Sequence, residues 1–327
     1  MSDRPAPDRP SDRPPARAAA RALVARAAQP LQRFLATEAA GGALLLLAAV
    51  LALVWANSPW SAAYEAIAHA TVTPRIGNLA FDVDVHHAVN DGLMAIFFFV
   101  VGLEITREVL VGELRERRTA AAPAIAAVGG MAVPALLYLT LNAGTSAGHG
   151  WGIPMATDIA FAVGVLTLAA RNAPPGLRSF LLSLAIVDDI GAIVVIALVY
   201  SSGIDPLPLL AAAAIVGLLV LHRRARRWRV GVHLALGVAL WVAVAASGVH
   251  PTIAGVLLGL VTPTAPGPDD APSPLVRLEE RFHPWASYAI VPAFAFANAG
   301  IHLSASAFAD ALASPVTLGV LLGLVVG

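Results

Sequence analysis

The chain of 327 residues contains neither cysteine nor lysine. Without cysteine there is no disulfide, no thiolate metal site and no cysteine nucleophile. Without lysine every fixed side-chain cation is an arginine, and the 21 arginines balance 21 acidic residues to a net charge of zero. Charge of either sign is scarce, at 13% of residues, and aromatics make up only 6%. The nine histidines show no HExxH or comparable metal-ligand spacing. What remains is apolar, 58% of the chain, a proportion that indicates a polytopic membrane protein rather than a soluble globule.

Residues 1–36 are rich in arginine, proline and alanine, and read as a disordered or interfacial cytoplasmic tail. Residues 37–327 read as one membrane domain. Within it, apolar runs fall near 39–57, 86–104, 119–142, 151–170, 178–200, 206–222, 230–247, 249–263, 284–301 and 314–327. The expected fold is an all-α polytopic helix bundle of about nine complete spans and an unfinished tenth. Arginines alternate between the connecting segments: every one except Arg75 falls on the same side. The positive-inside rule then puts the N-terminus and the loops holding Arg107 to Arg118, Arg171 and Arg178, Arg223 to Arg229, and Arg277 and Arg281 in the cytoplasm. In the first outer loop, Gly77-Asn78 between short alternating stretches predicts a β-hairpin. Gly255 and Gly259, and further on Gly319, Gly323 and Gly327, have the spacing of close helix contacts.

One feature of the apolar runs demands a reason. Asp188 and Asp189 sit side by side in the middle of SFLLSLAIVDDIGAIVVIALVY. Each central aspartate costs roughly 2.5 to 3.5 kcal/mol on insertion scales, whereas a leucine or isoleucine returns about 0.3 to 0.6. An intramembrane pair of this kind is therefore a functional-site candidate. In low dielectric the two charges repel, which favours taking up a proton or a cation between them. A third carboxylate, Asp158, follows Thr157 in WGIPMATDIAFAVGVL, four residues after Pro154. Proline has no N–H to donate and either neighbour can cap a helix, so the spacing predicts a broken span with exposed helix ends. Carboxylates, a hydroxyl and freed carbonyls are hard oxygen donors suited to a small alkali cation. If protons and cation compete for the same carboxylates, loading one expels the other, and no cofactor is required. Glu104 and Asp91 stand near the two ends of the second span, and His250 and His283 occupy positions suited to a pH-dependent role.

The stretches NDGLMAIFFFVVGLE, PAIAAVGGMAVPALLYL, ATDIAFAVGVL, LAIVDDIGAI, SGVHPTIAGVLLG and HPWASYAIVPAFAFANAG closely resemble the NhaA-type sodium/proton antiporter family, from about Phe34 to the last residue. The resemblance implies an inverted-repeat transporter with discontinuous helices in the inner membrane of a bacterium, exchanging sodium or lithium for protons in pH and sodium homeostasis. It assigns Asp188 and Asp189 to sodium and proton binding, with Asp158 and Thr157 at the crossing of the broken helices. Glu104, Glu108, His250, Glu279 and His283 match cytoplasmic-side positions linked with pH regulation, and a homodimer through the outer hairpin near Gly77-Asn78 is implied too. In the family a lysine follows GLxxG in the tenth span, and two further spans follow it. Here the sequence stops at Gly327 and has no lysine, so the resemblance implies C-terminal truncation. A different class, an intramembrane aspartic protease using Asp158 and Asp189, lacks the YD and GxGD patterns of such enzymes.

Overall fold

Proline or a capping side chain opens four of the long helices in the computed structural model, which describes residues 40–72, 75–76, 79–80, 83–156, 162, 166, 174–201, 203–225, 228–266 and 271–327. The helices are α1 (Ala40–Ala56), α2 (Ser61–Ala68), α3 (Met94–Leu110), α4 (Arg117–Asn142), α5 (Pro175–Val199), α6 (Pro206–Arg223), α7 (Val230–Ala246), α8 (Thr252–Leu260), α9 (Pro274–Trp285), α10 (Val291–Asn298), α11 (Ala305–Ala313) and α12 (Pro315–Val326). Pro175, Pro206, Pro274 and Pro315 each stand in a first turn, where the missing N–H costs nothing. Side chains of Asp205, Ser273 and Ser314 accept the backbone N–H groups of Leu207, Val276 and Val316 at 3.0, 3.3 and 3.2 Å. Gly248, at φ 79°, makes the tight turn between α7 and α8 in a conformation that side-chain-bearing residues rarely adopt.

Many large apolar side chains point outward, among them Ile125, Leu198 and Leu210 at 74, 78 and 68% exposure. Apolar surface on this scale requires an apolar surround. By length and composition α4, α5 and α6 each reach the requirement for a membrane span, and α1 with α2 forms a further candidate bent by 119°. Two of the expected runs take a more irregular form. The run at 249–263 folds into α8, only nine residues long, about 14 Å of helix against a hydrocarbon core of about 30 Å. The run beginning at Trp151 starts inside a 3-10 segment, Ser146–Met155, that contains Pro154. A π-helical turn, Ala88–Leu93, leads into α3, and another, Ala286–Ile290, joins α9 to α10.

The expected hairpin segment contains two antiparallel ladders. Thr71–Val72 pairs with Val83–Asp84, and Arg75–Ile76 with Leu79–Ala80. Residues 77–78 and the N-terminal tail lie outside the described residues.

The helices pack in two groups. In one, α3 lies along α8 and also meets α9, while α7 bridges α8 and α6. In the other, α4 packs against α5, α12 and the 3-10 segment. The expected glycine contacts hold both together. A Cβ on Gly255 would collide with the backbone of Ala95 and Phe99, and one on Gly259 with that of Gly102 and Leu103, so α3 and α8 touch main chain to main chain. Thr106 seals that contact by donating within α3 to the Gly102 carbonyl at 2.7 Å and lying 3.3 Å from the Gly259 carbonyl. Gly319 and Gly323 seat α12 on Tyr138, Asn142 and Pro154 in the same way.

Candidate functional site

Helix α5 belongs to the second group and turns one side toward the first, and its periodicity decides what each aspartate meets. Ile186, Ile190 and Ile193 form one stripe, packed with Phe98, Val101 and Ile105 of α3 and Ile253 and Val256 of α8. Asp189 falls within that stripe, three residues after Ile186 and four before Ile193, so it faces α3 and α8. Consistent with this, Glu104 on α3 lies within electrostatic reach of Asp189, as does Asp188. Asp188 is turned about 100° away and shares the stripe of Gly191, whose missing Cβ is replaced by the Met131 sulfur of α4. It is 3% exposed, whereas Asp189 is half-buried. Two adjacent carboxylates are thus presented to both helix groups at the middle of an otherwise apolar helix.

Toward the C-terminal end of α3, a charged cluster continues from Glu104. Glu104, Arg107 and Glu108 lie at i, i+3 and i+4 on α3 and therefore share a face. Arg107 is 4.0 Å from Glu104 and donates to Glu279 of α9 at 2.8 Å. Burial raises the Glu279 carboxyl above the usual carboxylate range, while the charges of Arg107 and His283 oppose that rise. The carboxylate of Glu108 fills the space that a Cβ on Gly112 would take, which fits it beneath the turn that ends α3.

Four of the five residues matched to pH regulation, Glu104, Glu108, Glu279 and His283, therefore belong to elements that converge at this end. His250 does not. Helix α8 runs parallel to α3, with Gly255 on Ala95 and Gly259 on Gly102, so His250, just before α8, stands at the end where α3 begins, near Asp91. There its Nδ1 lies 2.9 Å from the Thr252 hydroxyl. Asp91 contributes its carbonyl, which accepts from the Trp241 indole at 2.9 Å. Thr157 and Asp158 lie outside the described residues. Arg107, the cation that joins α3 to α9, carries no sequence signal beyond its spacing from Glu104, because its second partner is remote in the chain.

The family profile described as Na+/H+ antiporter 1 matches residues 32–327. Among curated proteins, the Na(+)/H(+) antiporter NhaA 3 of Frankia alni is 44% identical over 337 residues, covering 94% of this chain and 73% of the relative. The Na(+)/H(+) antiporter NhaA of Rhodospirillum rubrum is 49% identical over 303 residues, covering 91% and 76%. That of Tolumonas auensis is 48% identical over 302 residues, covering 91% and 74%.

Proposed function

The chain belongs to the Na+/H+ antiporter 1 family and is a transporter exchanging sodium for protons rather than an enzyme, and on that premise we propose that Asp188 and Asp189 are the groups that carry both ions. The observation behind this reading is the placement of the pair: two adjacent carboxylates, one of them 3% exposed, at the centre of an apolar helix of one packed group that turns a side toward the other. Sodium is the cargo. Carboxylate oxygens suit it as hard donors, and the same oxygens accept the protons. Sodium entering therefore displaces protons, and protons returning displace sodium. Asp158 and Thr157 complete the site from the broken helix, compensating its exposed ends.

Exchange needs access from one side at a time. The group of α4, α5 and α12 moves against the group of α3, α8 and α9, with Asp189 at the boundary. This division fits an inverted-repeat arrangement with discontinuous helices. The cluster of Glu104, Arg107, Glu108, Glu279 and His283 conveys cytoplasmic pH to that boundary, and His250 acts from the outer end instead. The chain lies in the inner membrane with a cytoplasmic N-terminus, and pairs as a homodimer through the hairpin around residues 77–78. The aspartic protease reading is set aside by the family membership.

The test is sodium-driven proton movement in vesicles holding a pH dye. Asp189→Asn keeps the shape but cannot exchange a proton, so exchange is abolished while membrane insertion persists, and Asp188→Asn is severely impaired. Wild-type exchange rates in the Asp189→Asn protein would remove these residues from the site.

A further inference from the structure

The segment Ser146–Met155, which leads into Thr157 and Asp158, is a 3-10 helix of ten residues. Such helices seldom exceed three or four residues, because their hydrogen bonds are poorly aligned. This one also carries Gly148, Gly150 and Gly152, which cost the most backbone freedom to order, and Pro154, which has no N–H to donate. Neither geometry nor composition makes the run self-supporting, so anchors from outside must fix it.

Two tyrosines supply those anchors, and they use the same device. Tyr138 of α4 donates its hydroxyl to the Ala147 carbonyl at 2.8 Å, and the hydroxyl oxygen stands 2.6 Å from where a Cβ on Gly150 would lie. Tyr200, at the end of α5, donates to the His149 carbonyl at 2.9 Å, and its oxygen stands 3.0 Å from where a Cβ on Gly152 would lie. In both cases the carbonyl and the glycine are three residues apart, which a 3-10 helix stacks one above the other. Each hydroxyl therefore reaches the backbone through the gap that a glycine leaves. Tyr138 is 1% exposed, so its hydroxyl has no water to turn to if that bond is lost. The anchors also come from the helices that carry the rest of the proposed site. Tyr138 lies about two turns beyond Met131, which meets Gly191 of α5, and Tyr200 ends the helix of Asp188 and Asp189.

We propose that Tyr138 and Tyr200 are positioning residues for sodium, fastening Ser146–Met155 to α4 and α5 so that Thr157 and Asp158 travel with Asp188 and Asp189 when the two helix groups move. The proposal deepens the function given above and rests on its assignment of those four residues to the site. A small cation held by oxygens from separate segments is bound tightly only where the supporting contacts keep those oxygens in place. Loss of the two hydroxyls leaves every carboxylate present, so it lowers sodium affinity more than it lowers the maximal rate.

The experiment measures sodium-driven proton exchange in vesicles over a range of sodium concentrations, together with hydrogen–deuterium exchange of the purified chain. Tyr138→Phe with Tyr200→Phe keeps both rings and removes both hydroxyls. Half-saturating sodium is expected to rise roughly tenfold, as when an outer partner of an ion's ligands is removed, while the maximal rate is retained. Amide exchange should quicken across Ser146–Met155 but not in α3 or α8. Gly150→Ala pushes the Tyr138 hydroxyl aside without altering the tyrosine and should raise half-saturating sodium too. Tyr200 is 42% exposed and tolerates the change alone, so Tyr200→Phe carries the same test if the double variant fails to fold. Tyr64→Phe is the control. It removes a hydroxyl that donates to the Phe296 carbonyl at 2.7 Å, and it should lower thermal stability without moving half-saturating sodium. Unchanged half-saturating sodium in the tyrosine variants, an equal shift in Tyr64→Phe, or unaltered amide exchange in the segment would overturn the proposal. Failure of the underlying assignment reads differently: wild-type exchange in Asp189→Asn would remove the site itself, whatever the tyrosine variants do.

Discussion

Arg107 on α3 and Glu279 on α9 meet at 2.8 Å, the Glu279 side chain only 12% exposed and the Arg107 side chain 43% exposed. The pair joins the helix beside Asp189 to the amphipathic helix that precedes the ninth apolar run. Because the arginine is partly solvated, the bond is worth less than a fully buried pair.

Arg107→Ala should therefore cost about 1 to 2 kcal/mol, chiefly by leaving the buried carboxylate without its charge partner. The pH dependence has a definite sign. Glu279 binds its proton more tightly in the folded state than unfolded, so folding is favoured below the ordinary carboxyl range and loses stability as pH rises through the raised value. Removing Arg107 takes away the opposing charge and steepens that loss. Thermal unfolding from acid to neutral pH checks this, and Arg107→Ala with Glu279→Gln should flatten the profile again.

The contact between α3 and α8 makes a second expectation. Gly255→Leu or Gly259→Val drives a side chain into the facing backbone and should cost about 1 to 3 kcal/mol or more. Gly217→Ala, in a helix with nothing near the added carbon, should be neutral or gain about 0.5 to 1 kcal/mol. Comparing denaturation midpoints of these variants separates close packing from a general intolerance of lost glycine.

The absence of native cysteine makes orientation directly testable. A cysteine at Arg224 should react with a membrane-impermeant thiol reagent only when the cytoplasmic face is exposed, and one at Thr71 only from outside. Labelling of both from the same side would reverse or break the assigned topology.

For Asp158 the decisive comparison is between affinity and stability in one variant. Asp158→Ala should weaken apparent sodium affinity in exchange assays while leaving folding nearly unchanged. A role as a helix cap alone would instead cost about 0.5 to 2 kcal/mol of stability with sodium affinity intact.

The aspartate pair was legible in the sequence because its cost is local: two charges within an apolar run need no partner to be conspicuous. The hairpin was legible for the same reason, since Gly77-Asn78 between alternating strands is a short-range signal, and the flanking strands pair in the expected antiparallel register. Features that depend on distant partners were not legible. The spacing of Glu104 and Arg107 showed a shared helix face but not that α9 would supply Glu279. His250 matches the same set of family positions as the cluster at Glu104, yet the parallel course of α8 places it at the other end of α3, a relation that only the packing reveals. The shortness of α8 also escaped the hydropathy pattern, because an apolar run measures only the surroundings of its side chains and not where its helix starts.

The π-helical turn Ala286–Ile290 amounts to one residue of excess in a rod that otherwise runs from Pro274 to Asn298. One residue is about 100° of rotation, so the bulge sets the angular phase between the rod's two halves. Upstream, that phase leaves Arg277 and Arg281 lining a cavity shared with Trp228, Val230 and Leu234. Downstream, it brings Asn298 to donate to the Asn90 side chain at 2.9 Å, and Asn90 itself lies in the other π-helical turn. At the bulge the backbone and side chain of Ser287 lie close beside Gly41 of α1, where an added Cβ would be crowded at 3.1 to 3.2 Å. Two bulges thus form a matched pair of phase shifts whose alignment is registered by a single amide contact, and a one-residue deletion in either would turn that contact out of reach without removing any of the residues that make it.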